Sequence, residues 1–345
     1  MPRLRVNGRY TALCDVIILA LLLSLGALFW GLYSEITTRN SRNSAAVVIV
    51  TSFDRESPRE PLEAGVAAGD RRVMSALSEQ TLSDAVRRLP DTRPEFCRTH
   101  ELHQQLPVAS IVIVFSDYEF YDAKLTLTSI LRDAAQLSSL ISEILLVDDA
   151  SNSQQVLQDA QTYIRAVSRS FPGVRLVRLG MRAGRVRARS LAVQSHVTND
   201  VVVCVDAGVV CMPGWLSPLL ELVGSSSDGQ TTIAVPHSDH LTHPVTLDYE
   251  ATQHDLVAAL SWSLSIRMRR QDTSSQSQHQ DQQGAGLWRS APVLRGEVLA
   301  VRRTFLASIG GLYDSALEYG TGTAEHVELS LRTWLCGGYI KVRLV

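Results

Sequence analysis

ILLVDDAS, residues 144–151, is a short apolar run that stops on two adjacent carboxylates. An unbroken run of leucine and β-branched residues reads as a strand buried on both faces, as in a parallel sheet covered by helices. Such sheets bind ligands outside the carboxyl ends of their strands, where Asp148 and Asp149 fall. The strand itself is predicted over 143–147. Working outward, ASIVIVF at Ala109–Phe115 predicts an earlier strand of the same kind, with a helix over 123–137 between the two. Downstream, a polar helical stretch over 153–171 leads to a third strand at 174–179 and a helix over Arg185–Ser195. A fourth strand at 201–205 ends on Asp206, and a helix carrying Trp215, Leu219, Leu220 and Leu222 follows. Strands alternating with helices in this way predict an α/β fold built on a doubly wound parallel sheet. The second half is less regular: 272–286 (DTSSQSQHQDQQGAG) reads as a surface loop, a strand-like pattern returns at 298–305, and EHVELSLRTWL at 325–335 predicts an amphipathic helix.

The 345 residues are 45% apolar, enough for a large core. A net charge of −2 gives no basic footprint, which excludes a nucleic-acid partner. Residues 16–33, VIILALLLSLGALFWGLY, carry no charge and nearly reach the roughly 20 residues that a spanning helix needs. The run ends in Phe29, Trp30 and Tyr33, which suit a membrane interface better than a cleavage site, and Arg3, Arg5 and Arg9 precede it. The expected organisation is a cytoplasmic tail at 1–12, a transmembrane signal anchor at 13–33, a stem at 34–95 and a folded domain at 96–345. Within the stem a weak amphipathic helix is predicted over 73–89. The five cysteines form no CxxC clip, and Cys204 in the fourth strand reads as a buried, inert thiol.

Two strand-end carboxylates suit an enzyme that must hold a diphosphate while a sugar leaves it. One, Asp206, is a candidate ligand for a divalent cation that would offset the diphosphate charge; the other, Asp149, is a candidate acceptor for a nucleoside. The same positions also favour Asp as a turn or helix-cap residue. Arg187 and Arg189 are guanidinium groups suited to phosphate, or members of an exposed helix face. His237, His240 and His243 stand three apart in PHSDHLTHP, which reads as a polar loop with solvated histidines rather than a metal site.

Four ordered blocks carry a family resemblance. ILLVDDAS resembles the IILVDDAS of the polypeptide N-acetylgalactosaminyltransferases, and RAGRVRAR (182–189) resembles their REGLIRAR. VDAGVVCMPGWLSPLL (205–220) is similar to LDAHCECNVGWLEPLL, and EHVELSLRTWLCGG (325–338) to ENLEMSFRIWQCGG. The resemblance runs from about residue 85 to the end. It implies a GT-A fold, the Rossmann-like nucleotide-diphospho-sugar transferase fold. It further implies transfer of N-acetylgalactosamine from UDP-GalNAc to Ser or Thr of an acceptor protein, with Mn2+, in a single-pass type II Golgi membrane protein whose domain is lumenal. Carried over by position, Asp149 would contact the uridine and Arg182 the donor, with Arg187 beside the diphosphate. Asp206 would bind metal and nucleotide, and Glu325 would stand near the transferred sugar as the catalytic candidate.

Departures accompany the match. The family's DxH is Asp206-Ala207-Gly208, its HNE is Ser116-Asp117-Tyr118, and the tryptophan and asparagine of its WGGEN loop fall at Gly322 and His326. The resemblance implies a third metal ligand, and disulfide partners for Cys97 and Cys336, at or beyond Val345. The alternative it leaves open is an inactive Golgi relative that binds UDP, peptide or another transferase.

Overall fold

The computed structural model describes residues 79–91, 95–98, 105–117, 119–132, 137–224, 228–243, 246–250, 256–261, 266–270, 288–313 and 324–343. The predicted tail and anchor, most of the stem, and Gly322 lie outside them.

Chain order is α1 (Glu79–Arg87), β1 (Ala109–Phe115), α2 (Glu119–Leu131), β2 (Ile141–Asp148), α3 (Gln154–Val167), β3 (Val174–Arg178), α4 (Arg185–Ser195), β4 (Val201–Asp206) and α5 (Leu216–Gly224). There follow β5 (Thr232–Pro236), β6 (His240–His243), β7 (Asp248–Glu250), β8 (Leu256–Leu260), β9 (Ile266–Arg270), β10 (Trp288–Ser290), β11 (Val298–Arg302), α6 (Arg303–Ser308), α7 (Ala324–Leu335) and β12 (Tyr339–Arg343). One eight-stranded sheet runs β10-β12-β5-β11-β4-β1-β2-β3. Its half β4-β1-β2-β3 is parallel throughout, and β1 and β4 are buried at every position. That burial explains why those strands read as continuous apolar runs: helices cover both faces, so no solvent side exists to carry polar residues.

The sheet as a whole is mixed: the parallel order predicted from the first four strands holds for β1–β4, and the strands after them break it. β11 runs antiparallel to both β4 and β5, while β12 returns parallel to β5. Sequence periodicity reports burial and not direction, so VLAVR at 298–302 looks like any other core strand. The reversal matters for function because it brings the residues just before β11 against the carboxyl end of β4: the Asp206 N–H donates to the Glu297 carbonyl at 2.8 Å.

Three local readings change in the folded chain. Of the helix predicted over 73–89, residues 73–78 lie outside the described residues and the rest contains α1, whose Leu82 and Val86 are buried in the core beside α2, so this helix packs as part of the domain. The histidine loop is a hairpin: β6 pairs with β7, and among the described residues no His, Cys, Asp and Glu come together in a set able to hold a metal. The amphipathic helix α7 exists but is inverted. Its buried face holds Glu325, Glu328, Leu329, Ser330, Arg332 and Thr333, while Leu331, Trp334 and Leu335 are exposed. Arg332 makes this possible. It forms hydrogen bonds of 2.6 and 2.8 Å with the Glu328 carboxylate and donates to the carbonyls of Ile309, Gly311 and Leu312, so a buried charge pair has all its partners.

Candidate active site at the carboxyl edge of the sheet

Strand order 4-1-2 puts the ends of β4 and β2 on either side of β1, at the point where the order of strands reverses and a crevice opens. The paired aspartates after β2 divide their work. Asp148 is fully buried and braces the turn, accepting from Ser151 N at 2.9 Å and Ser151 Oγ at 2.5 Å, with Arg178 Nε 3.5 Å from its other oxygen. Asp149 reaches across to the segment entering α4, where Oδ1 accepts from Ala183 N at 2.7 Å and Oδ2 from Gly184 N at 2.8 Å. Gly184, at φ 81°, begins α4 in the left-handed region that glycine adopts without strain. Asp149 therefore holds the N-terminus of α4, and with it Arg182 and Arg185, close to the crevice. Each of its oxygens keeps a further lone pair for a ligand.

Arg182 is half exposed and paired with Asp117 at the exit of β1. Burial pushes the Asp117 carboxyl up, but Arg182 and the N–H groups of Asn152 and Ser153 outweigh it and hold the group below the usual carboxylate range. Arg189 is fully buried. It pairs with Asp206 and donates to Tyr313 Oη at 2.9 Å, which is a core role and not the diphosphate contact expected of it. Arg187 lies exposed on α4, two residues from both Arg185 and Arg189.

The residue that sequence reasoning passed over is Arg185. Its guanidinium lies 3.9 Å from Asp206 Oδ2 and 3.3 Å from Glu325 Oε1, joining the ends of β4 and α7. Glu325 is 1% exposed in the first turn of α7, where a helix N-terminus favours negative charge, and its Oε2 is buried without a hydrogen-bond partner. His326 packs on Gly296, where any side chain would collide with the ring, and its Nε2 is 3.6 Å from Glu325 Oε1. Burial dominates at His326 and lowers its pKa, which keeps the imidazole neutral near pH 7. Spacing did contain a clue to Arg185: it stands four residues before Arg189, one turn away on the same helix face.

The resemblance implied Mn2+ on Asp206, and the described residues around it do not fit a divalent cation. Asp206 already faces two guanidinium groups, and position 208 offers no ligand. Gly208 sits at φ 94° with its N–H donating to Thr126 Oγ1 at 3.0 Å, a backbone shape that a histidine would adopt only under strain. Two unit charges 4 Å apart interact by about 4 kcal/mol at an effective dielectric near 20, so a divalent ion beside either arginine meets roughly twice that repulsion. One carboxylate does not offset it.

An α/β domain with a doubly wound parallel half and charged side chains gathered at the carboxyl edge of its sheet is the class that this arrangement defines. A family model for glycosyl transferase family 2 matches residues 110–291. The chain belongs to that family, and its relatives there are polypeptide N-acetylgalactosaminyltransferases. It is 32% identical over 254 residues to polypeptide N-acetylgalactosaminyltransferase 15 of Mus musculus, a match covering 74% of this chain and 37% of that one. It is 30% identical over 266 residues to polypeptide N-acetylgalactosaminyltransferase 4 of the same species, covering 76% and 43%. The chain thus spans less than half the length of these curated relatives. A crystal structure of GalNAc-T7 with UDP, GalNAc and Mn2+ shares the fold, with a TM-score of 0.65 and 22% identity over 85% of this chain and 55% of that one.

Proposed function

We propose that this chain is a glycosyltransferase that moves N-acetylgalactosamine from UDP-GalNAc to Ser or Thr of an acceptor protein. In that reaction the sugar C1 exchanges its bond to the diphosphate oxygen for one to the hydroxyl oxygen, and UDP and a proton are released. The observation that carries the reading is Asp149: a carboxylate at the β2 end both anchors the arginine-bearing entry to α4 and keeps acceptor capacity toward a nucleoside. Relatives bearing the polypeptide N-acetylgalactosaminyltransferase name support the choice of sugar and acceptor. The same proposal assigns the chain to the Golgi membrane, with residues 96–345 in the lumen.

A second reading, a relative that binds nucleotide without transferring sugar, is favoured by the bridging of Asp206 and Glu325 through Arg185. Incubating the 345-residue chain with radiolabelled UDP-GalNAc and a panel of Ser/Thr peptides separates the two. Peptide labelling that disappears in Glu325→Gln supports the transferase. UDP binding with no labelling on any peptide supports the second reading.

A further inference from the structure

We infer that Arg185 supplies, as a guanidinium, the positive charge at the diphosphate site, so that nucleoside diphosphate binds here without a divalent cation. The inference rests on the nucleotide-binding reading above and deepens it. Where the end of β4 meets α7, Asp206 and Glu325 contribute two negative charges and Arg185 and Arg189 two positive ones, so these four side chains balance with no ion added. The two arginines differ in what they can reach. Arg189 is 2% exposed and committed to Asp206 and Tyr313, whereas Arg185 is 39% exposed and meets its carboxylates at longer range, 3.3 and 3.9 Å. A half-exposed guanidinium with loose contacts can turn to a phosphate, whose planar pairs of oxygens it matches in bidentate fashion.

Turning Arg185 outward leaves Glu325 with one ion-pair partner fewer, beside an Oε2 that is already unpartnered. Nucleotide binding and the freeing of the Glu325 carboxylate are therefore one event, and Arg185 acts as a binding residue that uncovers Glu325 for the sugar.

The test is calorimetry of UDP with the full chain, in EDTA and in Mn2+, for the parent, Arg185→Gln and Arg185→Lys. Expected are equal affinities in EDTA and Mn2+, at least a tenfold loss in Arg185→Gln in both, and a smaller but measurable loss in Arg185→Lys, which keeps the charge and loses the bidentate fork. Thermal melting of the variants identifies any loss that comes from misfolding, and Arg185→Lys then carries the comparison alone. UDP binding that requires Mn2+, or that survives unchanged in Arg185→Gln, overturns the inference and leaves the nucleotide-binding reading standing. A parent that binds UDP under neither condition overturns both.

Discussion

Glu143 shows how sharply a single residue can be placed for stability instead of function. It sits near the start of β2, at the opposite end of the sheet from the crevice. Burial raises its pKa, but hydrogen bonds from Ser110 Oγ, from the N–H and hydroxyl of Thr198 and from Arg175 outweigh burial and bring it down to about 2. A carboxylate depressed on folding stabilises the protein above its unfolded pKa near 4.5, and that contribution is lost as pH falls toward 2. The full contribution is about 3 kcal/mol at neutral pH. Glu143→Gln should therefore lower the urea midpoint at pH 7 and flatten the loss of stability between pH 4.5 and 2, with UDP affinity unchanged. An acid limb identical to the parent's would show that the network contributes nothing. Cys204 and Cys211 belong to the same residue-scale account: burial raises their thiols to about 11 and about 12, as the inert reading of Cys204 expected.

Among the elements, α7 makes the clearest prediction. Its polar face is turned inward, where the Arg332–Glu328 pair ties the helix to the 309–312 turn, and that turn leads directly to Tyr313 and so to Arg189. Removing one partner of a buried, fully hydrogen-bonded pair strands the other, at a cost of about 3–5 kcal/mol. Arg332→Ala is expected to cost that much, whereas Leu331→Ser on the exposed side should stay within about 0.5 kcal/mol of the parent. Urea denaturation of both variants checks the orientation of the helix. A larger loss in Leu331→Ser would mean the helix buries its apolar face after all. The partners of Arg332 are backbone carbonyls some 20 residues upstream, so hydrophobic periodicity alone favours the wrong face.

At the scale of the whole molecule, the N-terminal run carries a prediction of its own. Residues 16–33 lie outside the described residues, and among those described no helix is long and apolar enough to cross a membrane. The absence of charge over that run and the arginines before it predict that the full chain stays in the membrane pellet after alkaline carbonate extraction. Its C-terminal part should resist protease until the vesicles are opened. Release into the soluble fraction, or digestion in intact vesicles, would contradict the lumenal assignment.

The sequence by itself determined the parallel half of the sheet. β1 was legible to the residue, and the carboxylates that close β2 and β4 were legible in position, because a strand covered on both faces is largely apolar and these carboxylates follow its last unbroken apolar run. Family resemblance added Glu325 and Arg182. Only the tertiary structure decided that Asp149 braces α4, that Arg189 is locked in the core, and that Arg185 and Asp206, 21 positions apart in the chain, meet Glu325, 119 positions further on. Those pairings depend on the antiparallel entry of β11 and the inverted packing of α7. Neither strand direction nor the partners of a buried ion pair leave a periodic trace, since both are set by long-range charge and hydrogen-bond complementarity and not by the burial pattern that sequence records.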